Sequence, residues 1–194
     1  MRKEEEMIDA LMELAKDDAP KVKDGLGAIA ENMFTKGMVP KDAMGIQDTD
    51  AEFLYAQAYQ LYNIGKYKDS RSLFGSLMVM DPTEPKYIFG HAASSHMLKQ
   101  YDTAAKAYVQ QAMLSNDDPV PYYHAADCYL QLNDKLSALV TLRIVVKRST
   151  GKPEFETIKE RAEMTIKNLE EDLEVEGLEG APTDLEKPKE EKQA

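Results

Sequence analysis

The sequence repeats itself at an interval of 34 residues. Small residues recur at this interval in two columns, and bulky apolar or aromatic residues recur in two others. The small columns are Ala58, Ala92, Ala126 and Ser70, Ala104, Ala138; the bulky columns are Leu54, Ile88, Tyr122 and Phe74, Tyr108, Leu142. A register shared by four columns over three units indicates a stack of similar units, in which each unit packs on its neighbours.

A period of 34 residues is typical of the tetratricopeptide (TPR) repeat, a helix–turn–helix unit. Residues that break helices recur inside each unit, in the segments "NIGKYKD", "LKQYDT" and "LNDKLS". We therefore predict an all-α fold, a TPR solenoid of three repeats over residues 51–150. The first helices of the repeats are predicted at 51–64, 85–98 and 119–132, and the second helices at 67–80, 101–114 and 135–148.

The segment before the repeats, residues 1–36, is predicted to be helical and amphipathic. Its apolar positions fall on one face of a short helix and then of a second one: Ile8, Leu11 and Met12, followed by Leu26, Ile29 and Met33. Such helices either cap the solenoid or pair with another subunit, and the sequence leaves both options open. Residues 37–50 are interpreted as a linker that leads into the first repeat.

Of the two segments after the repeats, the first is predicted to be a helix and the second to be disordered. Residues 153–176 form an amphipathic helix that we expect to cap the last repeat, because the end of a solenoid otherwise exposes apolar surface. Residues 177–194 are acidic and poor in large apolar side chains, and they are expected to be a disordered tail.

Composition narrows the possible partners and compartments. The chain has 194 residues and a formal net charge of −11, which disfavours nucleic acid or an anionic membrane surface as the main partner. Cys128 is the single cysteine, which fits a reducing compartment. The strongest apolar run, residues 138–146, contains Arg143 and is too short to span a bilayer. We therefore expect a soluble cytosolic protein without stable membrane insertion.

The first helix of the first repeat carries two apolar stripes instead of one. Leu54, Ala58 and Leu61 occupy the packing positions of a TPR unit, so the neighbouring tyrosines are predicted to line the concave face. The predicted peptide-binding residues are Tyr55, Tyr59 and Tyr62 of repeat one, Phe89, Ala93, His96 and Met97 of repeat two, and Tyr123, Asp127 and Leu130 of repeat three. An exposed aromatic surface of this kind typically binds a partner, here an extended apolar peptide.

The residues give little support to an enzyme, a metal-binding protein or an adaptor that clamps a carboxy-terminal carboxylate. The chain has no Walker-type or dinucleotide-binding glycine loop, and the i, i+4 pair His124 and Cys128 supplies only two metal ligands. We predict no catalytic residue, metal or cofactor. A clamp for a carboxy-terminal carboxylate needs Lys and Asn on the concave face, where Tyr55, Tyr59 and Ala93 stand instead. A generic TPR scaffold for another apolar peptide remains open.

Three segments of the repeat region resemble a known family: "LYAQAYQLYNIGKYKDSRSLFGSLMVMDP", "YIFGHAASSHMLKQYDTAAKAYVQQAML" and "DPVPYYHAADCYLQLND". They look like the class II type III secretion chaperones, the SycD/LcrH-like translocator chaperones. The resemblance implies a bacterial cytosolic chaperone without ATPase activity, which binds two hydrophobic translocators and keeps them soluble and secretion-competent.

The resemblance also implies how such a chaperone binds its partners. An extended translocator segment would place spaced Pro, Val or Leu side chains in pockets lined by Tyr55, Tyr59 and Tyr62, with Phe89 and Tyr123 further along. Members often form homodimers through their amino-terminal helices, and some act together with a transcription regulator.

Overall fold

The computed structural model describes residues 25–115 and 117–175, and all regular secondary structure in these ranges is helical. Residues 25–36 form helix α1. The remaining α-helices are α2 (Pro40–Ala43), α3 (Asp48–Asn63), α4 (Tyr67–Met80), α5 (Pro85–Met97), α6 (Tyr101–Leu114), α7 (Val120–Gln131), α8 (Lys135–Ser149) and α9 (Glu156–Val175), with a 3-10 helix at Pro153–Phe155. Among the described helices, none combines the length and apolar character needed to cross a membrane.

The helices from α3 to α9 form a solenoid in which each helix packs mainly against the next one in the chain. The three repeats are α3 with α4, α5 with α6, and α7 with α8. Helix α9 packs along α8 and buries Ala162, Leu169 and Leu173, so it covers the end of the third repeat. The predicted all-α TPR solenoid of three repeats with a capping helix is confirmed.

Three of the four columns that revealed the repeat lie in its interior. Every residue of the two small columns is fully buried, and Phe74, Tyr108 and Leu142 are each 2% exposed. Ser70 stands where the other repeats have alanine, and its hydroxyl donates to the carbonyl oxygen of Ala58 at 2.9 Å. Small side chains allow the two helices of a repeat to approach, and the bulky column fills the space between neighbouring repeats.

The turn between the two helices of each repeat contains one residue in the left-handed region. These residues are also 34 positions apart: Gly65 (φ +78°), Lys99 (φ +59°) and Asn133 (φ +57°). In each repeat the amide of the following residue donates to the carbonyl five residues earlier, at 2.9 Å: Lys66 to Leu61, Gln100 to Ser95 and Asp134 to Tyr129. This arrangement ends the first helix and sets the direction of the second one.

The segment before the first repeat is more ordered than the linker interpretation of residues 37–50 suggested. It contains α2, and α3 begins at Asp48, three residues before the predicted start. The acidic residues Asp48 and Asp50 in the first turn of α3 stabilise its positive end. Lys41 in α2 forms ion pairs with Asp48 at 2.7 Å and with Asp81 at 3.6 Å, which connects α2 to the end of α4.

Candidate peptide-binding groove

A cavity of about 590 Å³ lies along α3 and α5, and its wall is mainly aromatic and apolar. All three tyrosines of the predicted stripe line it, together with Phe89 and Ala93 of the second repeat. The structure therefore brings five of the ten predicted peptide-binding residues to one surface. The TPR register does this because α3 and α5 are the first helices of consecutive repeats and present equivalent positions to the same side.

The tyrosine rings are held by contacts with other aromatic side chains. Tyr55 stacks on Tyr59 with ring centroids 6.4 Å apart, and it meets Phe74 edge-on at 5.8 Å. Tyr62 meets Tyr67 edge-on at 5.3 Å, and burial raises the pKa of the Tyr62 hydroxyl. Tyr59 keeps 54% of its surface exposed. The cavity is thus formed before any ligand binds, which reduces the entropy lost on binding.

Lys86 is the cationic side chain on the cavity wall, and its charge is already compensated. Its ammonium forms an ion pair with Glu52 and lies 5.0 Å from the centroid of the Tyr55 ring. The hydrogen bond to Glu52 raises the pKa of Lys86. This ion pair joins equivalent positions of the first two repeats and fixes one rim of the cavity.

Gly90 determines how closely α5 approaches α4. A Cβ atom built on Gly90 would lie 2.6 Å from Cδ1 of Phe74, which is much closer than packed carbon atoms come. Because Gly90 has no side chain, the Phe74 ring reaches the cavity wall between the two helices. Any larger residue at this position would displace the ring and reshape the cavity.

The remaining predicted residues of the groove lie beyond this cavity. His96 and Asp127 connect α5 to α7, with Nε2 and Oδ2 3.0 Å apart. Tyr123 and Leu130 pack against the core of the third repeat, and Met97 is 48% exposed at the end of α5. These five residues follow the cavity along the solenoid, and their part in peptide binding stays a prediction.

Sequence reasoning missed the polar residues of the cavity. Glu84 and Asp118 come directly before the prolines at the start of repeats two and three, and neither was predicted to line the groove. The Glu84 carboxylate accepts from the amide of Lys86 at 3.4 Å, and that of Asp118 accepts from the amide of Val120 at 2.9 Å. Gln111 reaches the same cavity from α6, and no pattern in the sequence marks it.

His124 and Cys128, the i, i+4 pair that supplies only two metal ligands, lie together on α7, where Cys128 belongs to a core cluster and His124 is half-buried. Cys128 is fully buried, and burial raises the pKa of its thiol to about 12, so the thiol stays protonated at neutral pH. Burial, followed by the nearby His96, lowers the pKa of His124. The described ranges contain no group of three or more side chains able to hold a metal ion. Cys128 therefore offers no activated thiolate.

The predicted dimerisation residues are only partly described. In α1, Leu26 is 61% exposed, whereas Ile29 and Met33 are half-buried. Phe34 at the end of the same helix is 87% exposed. Ile8, Leu11 and Met12 lie outside the described residues. Helix α1 thus presents an apolar surface.

A family model and several known proteins match the repeat region of this chain. A family model described as "Tetratricopeptide repeat" matches residues 51–83 and 85–117. The chain is 29% identical over 124 residues to the low calcium response locus protein H of Yersinia pseudotuberculosis, covering 64% of this chain and 74% of that one.

Solved structures of the type III secretion translocator chaperone SycD from Yersinia enterocolitica match the fold as well. A structure described as an alternative dimer has a TM-score of 0.60 and 30% identity, covering 66% of this chain and 96% of SycD. SycD in complex with a peptide of the translocator YopD has a TM-score of 0.61 and 29% identity, covering 65% of this chain and 95% of that one. With nearly all of SycD matched in both sequence and fold, the chain belongs to the SycD/LcrH-like type III secretion translocator chaperones.

Proposed function

We propose that this chain is a non-catalytic chaperone of the bacterial cytosol that holds an extended apolar segment of hydrophobic type III secretion translocators in its concave groove. The observation that carries this proposal is the aromatic cavity of about 590 Å³, where Tyr55, Tyr59 and Tyr62 meet Phe89 and Ala93. SycD, which shares this fold, has been solved with a peptide of the translocator YopD.

The chemistry of the cavity suits an extended peptide with spaced apolar side chains. Tyrosine rings offer a large contact area with little flexibility, and their hydroxyls bond to the backbone of a ligand. Three Leu-sized anchors would contribute about 5–9 kcal/mol before the cost of association is subtracted. A short segment therefore binds weakly on its own, and the contacts that hold a whole translocator extend beyond this cavity. His96, Met97, Tyr123, Asp127 and Leu130 are proposed to continue the binding surface along repeats two and three.

We propose further that the chaperone is a homodimer and that the amino-terminal helices form its interface. The exposed apolar side chains Leu26 and Phe34 of α1 support this arrangement, because a second subunit would cover them. SycD is described as a dimer in one of its structures. Ile29 and Met33 of the same helix, with Ile8, Leu11 and Met12 before it, complete the proposed interface.

The test is co-expression with each of the two translocators of the same secretion system, followed by pull-down. The wild type is compared with a variant in which Tyr55, Tyr59 and Tyr62 are all replaced by alanine, and circular dichroism checks that both have equal helicity. We expect soluble complexes with the wild type and their loss in a folded triple variant. A folded wild type that neither binds nor solubilises either translocator would leave a TPR scaffold for another apolar peptide.

A further inference from the structure

A second groove lies between the second helices of repeats two and three, and it shares no lining residue with the tyrosine cavity. Its volume is about 460 Å³, and Val109 and Met113 of α6 line it together with Leu136, Val140 and Ile144 of α8. We call it the α6–α8 groove. Met113 is 70% exposed and Val140 is 51% exposed. Neighbouring apolar side chains that stay exposed usually mark a surface that another protein segment covers.

One end of the α6–α8 groove opens into a basic cavity. This cavity has a volume of about 500 Å³, and it is continuous with the groove because Tyr122 and Ile144 line both. Three cations and one carboxylate complete its charged lining: Lys147, Arg148, Lys152 and Asp117. The Arg148 guanidinium lies 4.7 Å from the centroid of the Tyr122 ring, and Lys147 is exposed. With two positive charges in excess, this end suits a segment that carries carboxylates beside its apolar residues.

The described chain ends beside the opposite end of the same groove. Asp172 in the last turn of α9 forms an ion pair with Lys135 at 3.5 Å. Lys135 is the first residue of α8, and Leu136 of the groove follows it directly. The 19 residues 176–194 come after this point. An extended chain covers about 3.3 Å per residue, whereas α8 covers only about 12 Å from Leu136 to Ile144. The segment is therefore long enough to follow the whole groove.

The composition of this segment matches the order of the groove. Leu178 and Leu185 are its two large apolar residues. Residues 176–186 contain four acidic and no basic residues, and two of the acidic residues, Asp184 and Glu186, flank Leu185. A segment with so few apolar side chains cannot form a core of its own, but two leucines can dock on a surface that already exists.

We propose that residues 176–186 of this chain occupy its own α6–α8 groove. Leu178 covers the end near Leu136, and Leu185 lies near Ile144. Asp184 and Glu186 then face the lysines of the basic cavity. The segment passes the first turn of α8 to enter the groove, and Gly177 allows the chain to turn there.

Attachment beside the groove favours this occupant over a segment of another molecule. A tethered segment is present at an effective concentration in the millimolar range, so even a weak contact is largely formed. An acidic segment of a partner would have to displace it first. The proposal concerns a surface separate from the tyrosine cavity, and it does not depend on translocator binding.

The test measures distances in the full-length chain by double electron–electron resonance. Nitroxide labels are attached at Gln110→Cys on α6 and at Thr183→Cys between the two leucines. Cys128 is the single native cysteine and is fully buried, so the reagent reacts with the introduced cysteines. The labelled chain is diluted into an excess of unlabelled chain, so that distances between subunits do not contribute. We expect one narrow distance distribution, and a broad distribution would overturn the proposal.

Substitutions in the groove then test the surface that holds the segment. Val140→Asp places a charge among the apolar residues, and we expect the narrow distribution to become broad. Val79→Asp is the matched control, because Val79 is a 72% exposed valine on α4 that lines neither the groove nor the basic cavity. It should keep the narrow distribution. Circular dichroism checks that both variants have the helicity of the parent chain.

Substitutions in the segment test the basic cavity. Asp184→Asn combined with Glu186→Gln should increase the broad component of the distribution, because two carboxylates near the lysines are lost. Glu190→Gln combined with Glu191→Gln removes the same charge outside the docked residues and should leave the distribution narrow.

The remaining outcomes each refute a stated part of the proposal. A narrow distribution that survives Val140→Asp, or that Val79→Asp broadens equally, would mean that the segment does not lie in the α6–α8 groove. A narrow distribution seen only without dilution would mean that the segment docks on a second copy of the chain. Equal effects of the two double substitutions would refute the contact with the basic cavity.

Discussion

Replacing Tyr59 by alanine should weaken ligand binding while leaving the fold nearly unchanged. A tyrosine side chain can bury on the order of 200 Å², and Tyr59 is 54% exposed in the free chain, so about 100 Å² remain for a ligand to cover. At about 25 cal/mol per Å², complete coverage is worth about 2.5 kcal/mol. Partial coverage gives about 1 kcal/mol as the lower bound, so we expect binding to weaken about 5- to 60-fold.

The same substitution should cost little in the free energy of unfolding. It removes the stacking contact with Tyr55, worth about 0.5–1.5 kcal/mol, but alanine is the better helix former by about 0.5 kcal/mol. The net loss should stay below about 1 kcal/mol, measured by urea denaturation. Binding is measured by fluorescence anisotropy, using a labelled translocator segment taken from the co-expressed complex.

Phe53 supplies the matched control for this measurement. It lies on the same helix and is 64% exposed, but it does not line the cavity. Phe53→Ala should therefore leave binding unchanged. A loss of unfolding free energy above about 2 kcal/mol in Tyr59→Ala would mean that this tyrosine is a core residue. Equal effects of Tyr59→Ala and Phe53→Ala on binding would mean that the cavity is not the binding site.

Three further predictions concern stability and reactivity. Gly65→Ala should lower the free energy of unfolding by about 1 kcal/mol, because the added Cβ meets no atom within 4 Å and only the positive φ opposes it. Lys99→Gly should raise the free energy of unfolding by about 0.5–1 kcal/mol, because Lys99 also has a positive φ. Urea denaturation measures both, and shifts in the same direction would contradict the prediction. The Cys128 thiol is buried and its pKa is raised to about 12, so it should not react with iodoacetamide at pH 8 until the chain is unfolded in urea. Labelling that is faster than global unfolding would refute the core position of Cys128. Because burial lowers the pKa of His124, the unfolded chain binds a proton more readily than the folded one. The free energy of unfolding should therefore change little between about pH 7 and 8 and fall as the pH drops below the ordinary histidine pKa of about 6.5. His124→Gln should reduce this slope, and His91, whose pKa is also lowered by burial, contributes to the slope that remains.

The fold could be predicted from the sequence because its core repeats. Ala58, Ala92 and Ala126 align only in a TPR register, and the structure buries all three completely. The boundaries near the first repeat were less accurate, because α2 and the start of α3 depend on ion pairs such as that of Lys41 with Asp48. Such contacts connect positions that follow no apolar period, so a search for periodic apolar residues does not detect them.

The apolar part of the candidate site could be predicted for the same reason as the fold. Once Leu54, Ala58 and Leu61 are assigned to the core, the adjacent tyrosines have only the concave face to occupy. Gln111 could not be predicted, because it reaches the cavity from the second helix of its repeat, whereas the concave face was assigned to the first helices alone.

The charged residues of the cavity follow the repeat as well, although only its apolar columns were considered at first. Glu84 and Asp118 are 34 residues apart, and so are Glu52 and Lys86. In a solenoid, equivalent positions of neighbouring repeats lie side by side, so opposite charges in one column pair, as Glu52 and Lys86 do, whereas like charges accumulate. The same interval that builds the core thus also places two carboxylates, Glu84 and Asp118, on the wall of the groove cavity.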